Sequence, residues 1–599
     1  MKPTNIADPE YFHKVVDCQY ACPAHTPVPH YIRLISAGRY SDAYMVNWES
    51  NVFPGVLGRT CDRPCEPACR RDRVEDKPVA ICRLKRVAAD NKDDAEVLAR
   101  MPEIPTQKNG RKIALIGAGP ASLTVARDLM PLGYEIDLYD DQPEAGGFML
   151  SQIPAFRLPI EVLRQEVNYI LDMGVITTLD TYVDSLKKVL DDGYDAVFIG
   201  TGAPRGRDLK IPGREEADNN VHIGIDWLSS VAFEHTEKIG KKVIVLGGGN
   251  TAMDCCRTSL RLGADTVKVV VRSPTVDMKA SAWEIEDAER EGVPMLENHT
   301  PKEFVIENGK LVGMKFELVR AEYDENGRRS LIPTGEPDAY IECDDVCIAI
   351  GQDNALPWVE RDIGVEFGKW DLPILNDKTF QSTHPKVFFG GDAALGPDNV
   401  ITAVAHGHQA AISIHLMCEG EDVEQARPAP TTNLVSQKMG IHEWSYDSPI
   451  AHDQRFAVPH EAVETTLTDR KIEVELGFDP QTAVAEAQRC LNCDMQTVFT
   501  AEKCIECDAC EDICPTDSIT FTQNQDDEAA LRQSLKAPAN NVEQDLYLAD
   551  GLKTGRVMVK DEDVCLHCGL CAERCPTSAW DMQKYLYQVT KATPIVAYE

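Results

Sequence analysis

Two stretches near the C-terminus, CIECDACEDICP and CLHCGLCAERCP, place Cys504, Cys507, Cys510 and Cys514, then Cys565, Cys568, Cys571 and Cys575, in one repeated CxxCxxCxxxCP spacing. Thiolates presented this way on tight turns converge on iron–sulfur clusters, and in this run the fourth cysteine ligates the neighbouring cluster. One 4Fe–4S cluster therefore takes Cys504, Cys507, Cys510 and Cys575, and the other takes Cys565, Cys568, Cys571 and Cys514. A structural zinc site explains neither the repetition nor the proline after each fourth cysteine. Six more cysteines, Cys18, Cys22, Cys61, Cys65, Cys69 and Cys82, lie near the N-terminus in close groups flanked by proline. That pattern again suits iron–sulfur ligation.

A second chemistry lies in two glycine turns. KIALIGAGPASLTVARDLMPLGYEIDLYD runs from an apolar strand, Ile113 to Ile116, through Gly117, Ala118 and Gly119 into a helix at Pro120. Gly117 permits the turn, Gly119 omits the Cβ that would block a pyrophosphate, and the helix N-terminus offers unpaired amides. Ala121 follows, then Ser122 at the third glycine position of GxGxxG. The next strand ends in Asp140, at the offset where an acid takes the ribose hydroxyls of a dinucleotide. KKVIVLGGGNTAMDCCRTSLRLGADTVKVVVRS repeats the plan, with a strand from Val243 to Leu246, a turn at Gly247 and Gly249, helix entry at Asn250 and Thr251, and Ala252 at the third position. Its second strand ends at Val271. Arg272 then stands where an acid would favour NAD, and a basic residue suits the 2′-phosphate of NADP; Ser273 follows it. This second site reads as one for NAD(P)H, on the NADP side.

These residues need frames to hold them. A chain of 599 residues exceeds one core, and size alone suggests roughly four domains. With 61 basic and 97 acidic residues, the net charge of -36 repels nucleic acid and anionic membranes. The N-terminus lacks an apolar h-region and no window offers ~18 consecutive apolar residues, so a cytoplasmic protein without a membrane span is expected. Twenty-one cysteines then point to metal or redox use rather than disulfides. HYIRLISAGRYSDAYMVNWE has helical periodicity, which makes the N-terminal region a helical domain with cysteines on its loops. ARPAPTTNLVSQ is expected to be a proline-rich linker, EVELGFDPQTAVAEAQRCLNCD a helix ending in Cys490 and Cys493, and QNQDDEAALRQSLKAPANNVEQD a surface insertion. Cys255 and Cys256 diverge by about 100° on a helix and are unsuited to a bridging redox pair. With Cys343, Cys347 and Cys418 they are expected to be small buried residues.

Residues 10 to 425 resemble the small subunit of glutamate synthase and the N-terminal half of dihydropyrimidine dehydrogenase. The likeness rests on VDCQYACPAHTPVP, GRTCDRPCEPACRR and the two glycine turns. It continues through PEAGGFM with Gly146 and Gly147, IPAFRLP with Arg157 and Leu158, DAVFIGTGA with Thr201, Gly202 and Ala203, and VFFGGDAALGPDNVITAVAHGHQAA with Gly391 and Asp392. The resemblance implies FAD at the first turn. Gly147, Arg157, Leu158, Thr201 and Gly202 would then border the flavin or cross toward the nicotinamide domain, and Asp392 would bind the ribityl chain. A helix from Val400, carrying Ile401, Thr402 and Ala403, would aim its N-terminus at the pyrimidine edge. His406 and His408 on that helix read as surface or packing residues. MKASAWEIEDAEREGV resembles the segment that closes over the nicotinamide.

The same resemblance implies two 4Fe–4S clusters in the N-terminal domain, ligated through CxxC, CxxxC-Pro, a cysteine trio and one further residue. No CxxC precedes Cys18 here. The displaced pair is read as Cys490 and Cys493, folding back to join Cys18 and Cys69, while Cys22, Cys61, Cys65 and Cys82 form the other site. Sixteen cysteines are thereby assigned to four clusters.

The expected fold is multidomain α/β. A helical iron–sulfur domain spans 1–108, and an FAD-binding domain in two parts, 109–238 and 346–425, surrounds a nested Rossmann-like NAD(P)-binding domain at 239–345. A linker and helix follow at 426–495, then a ferredoxin-like 2[4Fe–4S] domain at 496–599. Nicotinamide exchanges a hydride, clusters exchange single electrons, and flavin does both. The chain reads as a diaphorase subunit of a hetero-oligomeric complex, serving a 2-oxoacid:ferredoxin oxidoreductase, a formate or aldehyde dehydrogenase, a hydrogenase or free ferredoxin. The alternatives are a stand-alone or bifurcating NAD(P)H:ferredoxin oxidoreductase and a non-enzymatic assembly subunit. Hydride transfer itself needs no acid–base residue, so no catalytic side chain is assigned.

Overall fold

Apolar strands ending in glycine turns build two five-stranded parallel sheets in the computed structural model, which describes residues 2–75, 77–440, 443–444, 450–523 and 527–592. The chain divides into two units. One comprises Pro102–Arg427 and Pro459–Leu476, the other Met1–Met101, Pro428–Val458 and Gly477–Glu599.

In the first unit, Lys112–Ile116 lies between Glu135–Tyr139 and Ala196–Ile199, pairing Ile116 with Tyr139 and with Ile199. Ile176–Thr178 closes one edge and Val387–Phe389 the other. The late strand Val387–Phe389 is thus what makes two separated pieces of chain one FAD-type sheet. The strands Val221–Ile223, Asp345–Ile348, Lys242–Leu246, Thr266–Val270 and Met295–Leu296 form the second sheet in that order. Its first two strands correct the expected boundaries. Val221–Ile223 falls within the expected first FAD part, and Asp345–Ile348 runs across the expected end at 345, yet they pair with each other. Membership of a parallel sheet is decided by pairing across more than a hundred residues, which local periodicity does not carry.

The second unit contains helices Val28–Ser36, Tyr40–Asn51, Pro54–Thr60 and Ile81–Asn91. Tyr31, Ile35, Leu84 and Val87 share a core with Phe478, Ala483 and Ala487 from far along the chain. The expected long helix there is only Pro480–Ala487, started by Asp479, whose carboxylate accepts from the amides of Gln481 and Thr482. The expected linker is also different. Thr431–Ser436 is a strand paired with Trp580–Gln588, which pairs on its other side with Met495–Phe499. Pro428 and Pro430 precede that strand and so remove no ladder donor from it. Residues 459–476 belong instead with the dinucleotide sheets, where Val474 N donates to Phe156 O at 3.0 Å.

The expected surface insertion is partly built in. Glu528–Gln533 is a helix whose Leu531 packs with Leu546, Leu548, Val557 and Val559. Tyr547–Leu548 joins Arg556–Lys560 as a strand. Residues 524–526 of the insertion lie outside the described residues. No described helix is long and apolar enough to cross a membrane.

Candidate dinucleotide and iron–sulfur sites

The first glycine turn is a cradle whose glycines have different physical reasons. Gly117 has φ +94°, and a Cβ there would lie 2.6 Å from the Gly200 carbonyl oxygen. Gly147 has φ +56°, and its Cβ would lie 2.7 Å from Gly119 Cα. At Gly119 the nearest atom to an added Cβ is 3.7 Å away, so the space above the helix Pro120–Leu129 is open. That helix begins with unpaired amides, which favour a phosphate. Ser122 is fully buried at the third position, packed over Gly200.

Asp140 stands at the end of Glu135–Tyr139, its carboxylate accepting from Ala118 N at 2.5 Å and Gln142 N at 2.8 Å. Burial raises its pKa despite these amides. Pro120, Ala121, Thr201, Gly202, Gly391, Asp392 and Ala403 line the same cavity. The Thr201 hydroxyl is buried there without a hydrogen-bond partner. An open glycine floor, free amides, an acid and an orphaned hydroxyl fit the adenine dinucleotide of FAD.

Arg157, Leu158, Ile401 and Thr402 are not among the residues lining this cavity. Arg157 grips Asp254 at 2.7 and 2.8 Å and Glu284 at 2.6 Å, crossing toward the nicotinamide-binding sheet. Leu158 faces an adjacent cavity of ≈ 590 Å³. Thr402 is held by the Asn399 cap, which accepts from its amide and hydroxyl at 3.0 Å, and Ile401 is buried. The reason is helical rotation: at about 100° per residue, Ala403 faces the cavity and its two predecessors do not. His408 is buried against Asp128 and His406 packs at 4.3 Å on Phe380, so both are packing residues.

Asp392 carries a pH prediction. Burial lifts its pKa to about 7, against a partly offsetting bond from the Asp398 amide at 3.1 Å. A carboxyl raised on folding leaves the ligand-free protein most stable below the unfolded value, and that stability is lost as pH climbs to about 7. Asp392→Asn is therefore expected to flatten the rise in flavin-free stability between pH 8 and pH 5, by up to about 3 kcal/mol. Thermal unfolding of the apoprotein across that range is the check.

At the second turn, Gly247 has φ +139° and its Cβ would run into the Ala349 carbonyl. Gly249 has no atom within 4 Å of an added Cβ, which again leaves an open cradle at the N-terminus of Asn250–Arg261. Segment 278–281 lies over this turn. Gly248 O accepts from Lys279 N and Ala280 N at 2.9 Å, and Asn250 Oδ1 accepts from Ser281 N at 2.8 Å. Thr251 is on the first helical turn, and Arg272 is exposed just beyond the strand, beside the half-buried Ser273. This set fits a pyridine dinucleotide. Cys255, Cys256, Cys343, Cys347 and Cys418 are buried. Burial pushes the Cys343 thiol up to about 12 and the Cys418 thiol up to about 11, as expected of packing residues.

The remaining sixteen cysteines collect in fours. Cys18, Cys69, Cys490 and Cys493 line one cavity. Cys514, Cys565, Cys568 and Cys571 line a second, and Cys504, Cys507, Cys510 and Cys575 a third. Around Lys85, burial lowers the ammonium pKa while Cys82, Cys61, Cys65 and Cys22 raise it. These four thus share one electrostatic environment.

The two C-terminal runs have equivalent backbones. Glu506 and Asp508 in one, and His567 and Gly569 in the other, adopt positive φ. The turns aim Glu506 N at Cys504 Sγ (3.3 Å) and His567 N at Cys565 Sγ (3.4 Å), while Ser518 N and Ala579 N reach Cys514 Sγ and Cys575 Sγ at 3.3 and 3.2 Å. Amide donors favour thiolate over thiol. A four-thiol donor set at each site fits a 4Fe–4S cluster. Sequence reasoning missed the buried residues Arg70, Lys560, Glu562 and His567 beside these sites. Their types are ordinary, and only Arg70, beside Cys69, and His567, inside CLHC, lay where the cysteine spacing could have drawn notice.

Comparison with known proteins agrees with these chemistries. The model for pyridine nucleotide-disulphide oxidoreductases matches residues 111–407. That for dihydropyrimidine dehydrogenase domain II with its 4Fe–4S cluster matches 12–97, and that for a 4Fe–4S dicluster domain matches 503–579. The chain is 34% identical to the NADP(+)-dependent formate dehydrogenase subunit beta of Moorella thermoacetica, over 80% of this chain and 70% of that one. It is 31% identical to the NADPH-Fe(3+) oxidoreductase subunit beta of Geobacter sulfurreducens, over 82% and 77%. Against the glutamate synthase [NADPH] small chain of Escherichia coli the identity is 34%, over 66% of this chain and 87% of that one.

Proposed function

Because the chain belongs to the family of the glutamate synthase small chain and these two β subunits, built on the pyridine nucleotide-disulphide oxidoreductase domain, we propose that it is the NADPH-linked electron-transfer subunit of a larger redox complex. The chain is an NAD(P)-dependent iron–sulfur flavoprotein oxidoreductase. The observation that carries the proposal is that one chain holds two open glycine cradles together with four cysteine quartets. FAD exchanges a hydride with nicotinamide and single electrons with clusters, which makes such a chain a converter between the two.

The protein's own contribution is binding and orientation. Gly117, Gly119 and Asp140 would hold the flavin's dinucleotide part, Asp392 its polyol, and Gly247, Gly249 and Arg272 the pyridine dinucleotide. The Arg157 bridge to Asp254 and Glu284 fixes the spacing between the two sheets within their unit. The partner is a second redox subunit, of the formate dehydrogenase type that the name of the Moorella thermoacetica relative suggests.

The test is iron and flavin analysis of the anaerobically purified protein, with bleaching by NADH and by NADPH followed in one sample. Co-purification of another subunit would separate a complex member from a stand-alone oxidoreductase. For the nucleotide, Arg272→Ala is expected to raise the KM for NADPH roughly tenfold or more, through loss of a charge-assisted bond of about 1.5–3 kcal/mol. The KM for NADH should hardly change. Equal effects on both nucleotides would remove Arg272 from 2′-phosphate recognition.

A further inference from the structure

A buried polar network links two of the cysteine quartets. The His567 ring places Nδ1 2.9 Å from the Cys493 carbonyl oxygen, while its own backbone amide donates to Cys565 Sγ. A carbonyl only accepts, so Nδ1 carries the proton. Nε2 lies 3.1 Å from Glu562 Oε2, and Glu562 is held in turn by Lys560 at 2.6 Å and the Tyr11 hydroxyl at 3.2 Å.

Arg70, the neighbour of Cys69 in sequence, donates to the Cys565 carbonyl at 2.7 Å, to the Val15 carbonyl at 2.9 Å and to Asp17, the neighbour of Cys18, at 2.8 Å. Arg70 is 2% exposed, His567 4%, Glu562 1% and Lys560 fully buried. Burying so many charges costs several kcal/mol per ion before pairing, and apolar side chains of like size would often be as stable. Packing alone therefore does not account for the network. What it does geometrically is tie members of different quartets to one residue, Cys493 through its carbonyl to the His567 ring and Cys565 through its thiol to the His567 backbone amide.

We propose that His567, supported by Arg70, makes the Cys18/Cys69/Cys490/Cys493 site and the Cys514/Cys565/Cys568/Cys571 site direct electron-transfer neighbours. This rests on the reading above that both quartets hold clusters. His567 is a positioning residue. An electron crossing between the sites lowers the charge of one by one unit and raises that of the other, and no bond forms or breaks. The Cys504/Cys507/Cys510/Cys575 site is then the later stage of the route.

The experiment is electron paramagnetic resonance on the chemically reduced full chain, with iron counted on the same sample. Wild type should show magnetic interaction in excess of that within the C-terminal cluster pair, and Cys490→Ser should lose this excess while keeping the pair's own. His567→Leu should keep its iron and the interaction, yet slow by severalfold the arrival of electrons at the C-terminal clusters after mixing with NADPH. His567→Gln, whose amide can donate to the Cys493 carbonyl, should restore the rate. Full iron without that excess interaction in wild type would overturn the adjacency, and wild-type arrival kinetics in His567→Leu would overturn the role of His567. A wild-type count of about twelve irons per chain would instead strike the four-cluster reading, and this proposal with it.

Discussion

Cys490→Ser is expected to take the iron content from about sixteen to about twelve per chain while leaving the flavin in place. The size of the effect follows from the placement of Cys490 and Cys493 in one cavity with Cys18 and Cys69. Loss of the cluster should not carry the fold with it, because the return of this segment has its own anchors. Glu486 accepts from Ala80 N at 2.8 Å, and Arg489 donates to Pro78 O at 3.0 Å and Lys77 O at 2.9 Å. Arg33 and Asp494 meet in a buried two-pronged pair at 2.6 Å. Arg33→Ala is the contrasting change: it leaves a buried carboxylate unpaired, at a cost of about 3–5 kcal/mol, without removing any thiol. Iron and flavin analysis on both variants separates a lost ligand from a loosened fold. An unchanged iron count in Cys490→Ser would sink the fold-back cluster.

Gly119→Val should yield a folded protein that purifies without flavin. The backbone at Gly119 has φ −81°, open to any residue, and an added Cβ meets nothing nearer than 3.7 Å. The branched side chain would therefore occupy the space that the pyrophosphate needs without disturbing the ligand-free chain. Gly117 allows no such separation, since its positive φ and the Gly200 carbonyl make any side chain a defect of the turn itself.

The same reasoning at the second cradle gives the opposite pairing of results. Gly249→Val, at a site with no atom within 4 Å, should retain flavin that dithionite reduces and NADPH does not. Absorbance spectra of the two variants before and after each reductant are the measurement. Flavin retained and reduced by NADPH in both would mean that neither turn holds a dinucleotide.

How much of this was legible beforehand depended on how far along the chain each feature reached. A strand, a glycine turn, a helix start and an acid at the next strand end lie within about 30 residues, so Gly117, Gly119 and Asp140, and likewise Gly247 and Gly249, could be named from residue types alone. The two C-terminal cysteine runs were equally legible, because within a run the covalent chain sets the distance between thiols. Arg157 shows where that reach ended. Its place in a flavin-bordering motif was visible, but its partners Asp254 and Glu284 were not, because they come from two helices of the other dinucleotide domain.

By itself the sequence determined the local chemistry: two dinucleotide turns, cysteines grouped for iron, and no apolar span. Tertiary structure alone decided which strands complete each sheet, that Thr431–Ser436 is a strand beside Trp580–Gln588, and that 459–476 and 477–495 part company into different units. It also brought Arg70, Glu562 and His567 into one buried network. The physical reason is common to all three. Contacts between residues hundreds of positions apart are selected by the free energy of packing and of satisfying buried polar groups, and neither quantity is a property of any one stretch of chain.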